Sequence, residues 1–310
     1  MAPAVFRSET RGDFNEKLLD TIKKYNPEII FIGNSMLYTR IDEVHYGQLS
    51  GKKVFLLKMP GLGSAGWYLS FKNFICAPNL KPSVVYIFFR DTELTDPLFR
   101  TTGKYIYRLQ RLSTNDETEL DDILYFNKST GEKIEYYLEK LYPVLSHNKR
   151  IDGSMNIIAL KSVNSITGNK LKNDDVNELF QFDNFRPVQV DGENIIESID
   201  KNCYDFNNRL PVSFLPSIVN MAKTNGVKLA FIRVQKRPTD TRAPYQSEQL
   251  LSYVAELKKY IEANNCLFHD FTGDSRITLS MYGGGDHIDV KYKKKYTKIF
   301  YDTLKEKSIY

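Results

Sequence analysis

The chain has little with which to cross a bilayer. Its longest unbroken apolar run, VVYIFF at 84–89, is six residues, against the roughly 20 that a spanning helix needs. Cysteine is scarce as well: Cys76, Cys203 and Cys266 are odd in number and far apart, with no CxxC spacing, and only Cys266 has a histidine near it, His269. That pattern excludes a disulfide framework and a zinc site, so the three read as ordinary thiols and no metal is expected. An excess of one charge is missing too, since 43 Lys and Arg against 38 Asp and Glu leave a net charge of +5. The one dense basic stretch, KYKKKYTK at 291–298, reads as the solvated side of a helix whose other side carries Tyr292, Tyr296, Ile299 and Phe300. No nucleic-acid motif accompanies it, and no nucleic-acid partner is expected. The first residues, MAPAVFRSE, lack the charge, apolar stretch and small-residue cleavage site of a secretory signal. They fit a cytoplasmic start, and equally a start that follows a lost signal or anchor.

What is present is an aromatic-rich chain, with 20 Tyr and 19 Phe, and an alternation of strand and helix signals. FNEKLLDTIKKY (14–25) sets Phe14, Leu18, Leu19 and Ile22 on one helical stripe. EIIFIG (28–33), KKVFLLK (52–58) and SVVYIFF (83–89) read as strands; a helix to about Gly47 and another over GWYLSFKNFICA (66–77) lie between them. The pattern resumes with a helix at 216–226, a strand at 227–233, a helix at 247–265, a strand at 266–271 and a final helix. Strands with no polar face, joined through helices, predict a three-layer α/β/α parallel sheet. Between the halves lies 95–215, rich in Tyr, Asn, Asp and Lys, with a helix candidate at 131–145. It is read as an insertion between the third and fourth strands of a single 1–310 domain. There it serves as a lid, a partner-docking surface or a peripheral elaboration, because ligands of open α/β sheets bind at the carboxyl ends of the strands.

Several strand ends carry candidate chemistry. GLGSAG (61–66) matches GxGxxG formally, but it follows the second strand, across Met59-Pro60, and lacks a well-placed acidic partner. A nucleotide cofactor is therefore not expected, although these backbone N–H groups remain suited to an anion. Ser35 follows Gly33-Asn34 where the first strand stops; such a serine caps a helix or acts as a nucleophile. A nucleophile needs a base, and there are four histidines. His45 and His147 have no chemical signature around them, and His269 falls inside a strand. His287 sits in MYGGGDHIDVKY (281–292), a glycine-rich loop before the last helix. Arg90-Asp91 closes the third strand, whose end adjoins those of the first two.

These blocks, in this order, resemble the SGNH/GDSL hydrolase superfamily. The resemblance implies a flavodoxin-like fold and an active serine after the first strand, here Gly33-Asn34-Ser35 with Asn34 in place of the usual Asp. It implies an oxyanion hole from the N–H groups of Ser35 and Gly66, with Arg90 standing where the family has Asn. It implies His287 as base. The family's acid belongs three residues earlier, where this chain has Gly284, so Asp286 or a backbone carbonyl is expected to orient the imidazole. Asn34, Asp91 and Arg233 are expected near substrate. The GDHIDxxY ending and the insertion are similar to the extracytoplasmic branch of alginate O-acetyltransferase-like and D-alanyl-transfer-like proteins. That branch implies a periplasmic or cell-surface location, an acyl donor, a glycan acceptor and a membrane-bound O-acyltransferase as partner, with no cofactor. The readings carried forward are acyl transfer to a glycan, an esterase of the same fold, and a non-catalytic glycan-binding or assembly subunit.

Overall fold

The computed structural model describes residues 14–101, 104–114, 117–128, 204–238 and 244–307. The helix candidate at 131–145, His147 and Cys203 lie outside them. The chain divides into two compact units, one of residues 11–127 with 190–310 and one of 1–10 with 128–189. Apart from Lys128, everything described belongs to the first.

Five parallel strands form its sheet: β1 (Ile29–Gly33), β2 (Val54–Lys58), β3 (Val84–Phe89), β4 (Leu229–Arg233) and β5 (Leu267–Asp270), in the order β2-β1-β3-β4-β5. This is the flavodoxin-like order that the resemblance implies, and its topological switch point falls between β1 and β3. Every residue of β1, β3 and β4 is buried, and the two-residue period of a strand divides them between two cores. Ile30, Ile32, Val85, Ile87, Phe89 and Phe231 share one core with α4 (Ser64–Phe71), α7 (Leu215–Asn225) and α8 (Glu248–Ala263). Phe31, Tyr86, Phe88 and Ile232 share the other with α2 (Ser35–Arg40), α3 (Glu43–Ser50) and α9 (Lys293–Glu306). The lysine-rich α9 turns Tyr296, Ile299 and Phe300 inward, and the Phe300 ring lies 5.3 Å from Phe88 and 6.0 Å from Phe31.

Differences from the sequence reading lie at element ends and in the flanks of the insertion. The helix after β1 is two helices, because Asp42 caps a new start by accepting from the His45 N–H. The helix expected at 66–77 begins at Ser64 and widens into a π-helical turn at Lys72–Cys76. Part of 95–215 packs on the sheet: α5 (Lys104–Gln110) and α6 (Thr118–Asn127) bury Leu109 and Leu120, while Phe206 and Phe214 enter the same core. Cys76 is half-buried and Cys266 buried, both as free thiols. Burial pushes them up to about 12 and about 11, so neither is a thiolate at neutral pH.

Candidate active site

Ser35 is the first residue of α2, directly past the end of β1. Asn34 caps that helix: its Oδ1 accepts from the Met36 N–H at 2.9 Å, and its carbonyl accepts from Leu37 at 3.1 Å. The Ser35 N–H, just ahead of them, has no protein acceptor among the described residues. Asn34 is buried, 6% exposed, and it shapes the serine's turn rather than facing a ligand broadly.

Across the carboxyl ends of the strands, His287 Nε2 lies 2.9 Å from Ser35 Oγ. Its Nδ1 faces the Gly284 carbonyl at 3.2 Å. Asp286 does not orient this ring. One of its carboxylate oxygens accepts from the Arg237 backbone N–H at 2.8 Å, and the other pairs with Arg90 Nη1. Of the two orienting groups that the sequence leaves open, the geometry places the carbonyl beside the imidazole. An Nδ1–H donated to that carbonyl leaves the Nε2 lone pair facing the serine.

The electrostatics suit a base. Burial holds His287 below the ordinary histidine range, with Arg40 and Arg90 pushing the same way against the Gly284 carbonyl and Asp286. The imidazole is therefore neutral at pH 7 and free to accept a proton. Burial would raise Asp286, but Arg90, the Arg237 N–H and Arg40 outweigh it and hold the carboxyl below its ordinary value.

Arg90 is not an open cation. Its guanidinium is drawn between Asp286 and the buried Glu93, and its own N–H donates to Glu93 Oε2 at 3.0 Å. Any part that Arg90 plays at an oxyanion is thus played by a neutralised group. Gly66 sits inside the first turn of α4. The first intrahelical bond runs from Trp67 N to the Gly63 carbonyl at 3.1 Å, so the Ser64, Ala65 and Gly66 N–H groups precede it. Gly63 is the residue that opens this helix. The glycine loop before it is covered by side chains: a Cβ on Gly61 would meet Tyr105 at 2.7 Å, and one on Gly63 would meet Phe99 at 2.8 Å.

Asp91 and Arg233 are engaged with the protein itself. Arg233, 1% exposed, donates to Asp91 at 3.1 Å, Asp270 at 2.9 Å and Gln246 at 2.7 Å, and Lys236 also pairs with Asp91. The reason is topological. These residues stand at the ends of β3, β4 and β5, three adjacent strands, so the guanidinium ties their carboxyl ends together. The residue that sequence reasoning missed is Arg40, 0% exposed, which bonds the carbonyl of Asp286 beside the histidine. Nothing local in YTRID marks it.

No protein-family model matches the chain, and no curated protein matches it. Among solved structures it is similar to a Bacteroides fragilis protein named as an acylhydrolase, at 13% identity and a TM-score of 0.38, over 90% of this chain and 86% of that one. It is also similar to a GDSL-like lipase of Bacteroides thetaiotaomicron, at 14% identity and a TM-score of 0.37, over 94% of this chain and 98% of that one. Likeness this distant leaves the chemistry to be read from the side chains.

Proposed function

We propose that the protein is a serine enzyme of the SGNH type, working through an acyl-serine intermediate in a Ser35–His287 dyad. The observation that carries this reading is the 2.9 Å approach of a neutral imidazole to a serine at the switch point of the sheet. In the first half-reaction His287 Nε2 takes the hydroxyl proton as Ser35 Oγ bonds to the acyl carbonyl carbon. The oxyanion is met by the Ser35 N–H and an N–H of the first turn of α4, and one such donor is worth about 10²–10³ in rate. The imidazolium then protonates the departing alcohol. In the second half-reaction His287 takes a proton from the acceptor hydroxyl, whose oxygen attacks the acyl carbon, and the proton returns to Ser35 as its bond breaks.

The favoured acceptor is a glycan hydroxyl, the acyl group acetyl. Tyr38 supports this choice: one helical turn from Ser35, its ring is 51% exposed and flanked by Lys293 at 4.5 Å and Lys58 at 5.6 Å. An open ring bordered by ammonium groups suits a sugar face better than it suits a lipid tail. On this reading the enzyme works outside the cytoplasm and receives its acyl group from a membrane-bound O-acyltransferase. Among the described residues no helix is long and apolar enough to cross a membrane. Water as acceptor gives an esterase with the same dyad, and an inert dyad leaves a glycan-binding subunit.

The test is p-nitrophenyl acetate turnover by wild type, Ser35→Ala and His287→Ala, with intact mass recorded. An acetyl adduct on wild type alone, with both variants inactive, is expected. No adduct and equal rates from all three would sink the proposal. Adding candidate oligosaccharides and looking for O-acetylated product separates transfer from hydrolysis.

A further inference from the structure

We propose that Arg40 is a positioning residue for the reaction, pinning the loop of His287 against the helix of Ser35 where the family pattern would use a carboxylate. The inference rests on the dyad reading above. Arg40 ends α2, five residues after the nucleophile, and is fully buried. A buried guanidinium is costly unless it is paired, yet no carboxylate among the described residues lies within ion-pair distance of it. It donates to the backbone carbonyls of Met36 at 3.3 Å, Gln235 at 2.9 Å and Asp286 at 2.9 Å, with the Met36 sulfur at 3.7 Å as a weaker acceptor. The rings of Tyr296 and Tyr282 lie 5.6 and 5.9 Å away, and its Nε has no partner. Filling that space needs no charge; joining three carbonyls from separate segments needs a planar fork of donors.

The three segments are the ones the site depends on. Met36 belongs to the serine's helix, Gln235 follows β4, and Asp286 immediately precedes His287. The histidine's loop closes on itself, with the Gly283 N–H donating to the His287 carbonyl at 2.9 Å and the Asp289 N–H to the Met281 carbonyl at 2.9 Å, but those bonds do not tie it to the serine's helix. The loop contains Gly283, Gly284 and Gly285, the last at φ +54°, and glycine has the most conformational freedom to lose. Within the loop the imidazole Nδ1 faces the Gly284 carbonyl at 3.2 Å. Arg237 adds bonds to Gly283 and Asp286 from an exposed edge, whereas Arg40 grips the same loop from inside. It also adds charge. The groups that face His287 are Arg40 from α2, Arg90 from the β3 exit, and Asp286 with the Gly284 carbonyl from its own loop. Removing Arg40 removes one of the two cations that oppose the imidazolium.

The experiment follows the His287 ring by ¹⁵N NMR against pH, assigned through His287→Gln, beside the acylation burst with p-nitrophenyl acetate. Wild type, Arg40→Lys and Arg40→Met are compared; the methionine fills the space without burying a charge, and so keeps the test open if the lysine variant does not fold. Above its titration, wild type is expected to carry its single ring proton on Nδ1. Arg40→Met should mix the two tautomers, raise the His287 titration and slow the burst about 10–100-fold. Arg40→Lys should keep the titration near wild type and still slow the burst, because it retains the charge without the fork. A folded Arg40→Met with the wild-type tautomer and titration overturns the inference. So does a shifted ring with an unchanged burst. If wild type itself forms no adduct, the proposed function fails, and the tautomer and titration alone decide the role of Arg40.

Discussion

Asp286 stands next to His287 yet turns its carboxylate away from the imidazole. A side chain one residue before His287 in a tight loop leaves on another side of the backbone, where Arg90 and the Arg237 N–H meet it. Its work is therefore to fasten the loop and neutralise Arg90, and Asp286→Asn tests this. Loss of a carboxylate that orients a catalytic histidine costs about 10⁴ in kcat; loss of an outer positioning contact costs about 10–100. The smaller loss is expected in burst rate, together with a lower His287 titration, since Asp286 favours the imidazolium. A 10⁴-fold loss would return Asp286 to the role of acid. At this scale Ser35 and His287 were legible because each sits in a short local signal, a strand stop or a glycine loop. Arg40 was not, because its meaning comes from carbonyls 195 and 246 residues away.

Among the elements, the junction of β1 and α2 sets where the serine points. Gly33 ends the strand so closely under the helix that a Cβ there would lie 2.7 Å from Leu37 Cβ and 3.1 Å from Phe88 Cβ. Both neighbours are buried and have nowhere to move without shifting α2. Gly33→Ala is expected to cost about 1–3 kcal/mol in chemical denaturation and to lower the acylation burst, because relief of the clash carries Ser35 away from His287. A variant with wild-type stability and burst would show that the junction is looser than its packing. Strands and helices were legible at this scale for the reason that makes them pack: uniformly apolar runs for strands buried on both faces, and 3.6-residue stripes between them. The packed flanks of 95–215 were less so. Leu109, Leu120 and Phe206 each stand between two polar neighbours, and only the fold brings them to one core.

For the molecule as a whole, His269 links stability to pH. It lies on β5 at the edge of the sheet, 6% exposed, with its ring edge against Phe271 and its Nδ1 3.2 Å from Lys307 Nζ. Burial first, and Lys307 second, push it down to about 4, while an unfolded chain holds histidine near 6.5. The sign follows from proton uptake. Between pH 6.5 and about 4 the unfolded chain binds a proton that the native state refuses, so stability rises with pH across that window and is fully present above it. Over about 2.5 pH units at roughly 1.4 kcal/mol each, the loss on acidification is about 3 kcal/mol. His287, also held low, adds to the same limb, whereas Asp286 and Asp274, held below 3.8, lose their contribution only at lower pH. Denaturant melts of wild type and His269→Gln at pH 4, 5, 6 and 7 test the assignment through slopes, which are insensitive to packing lost equally at every pH. The variant should lose most of the stability gradient between pH 4 and 6.5. Parallel curves would mean that His269 takes up its proton in the native state, and that Lys307 moves aside to let it.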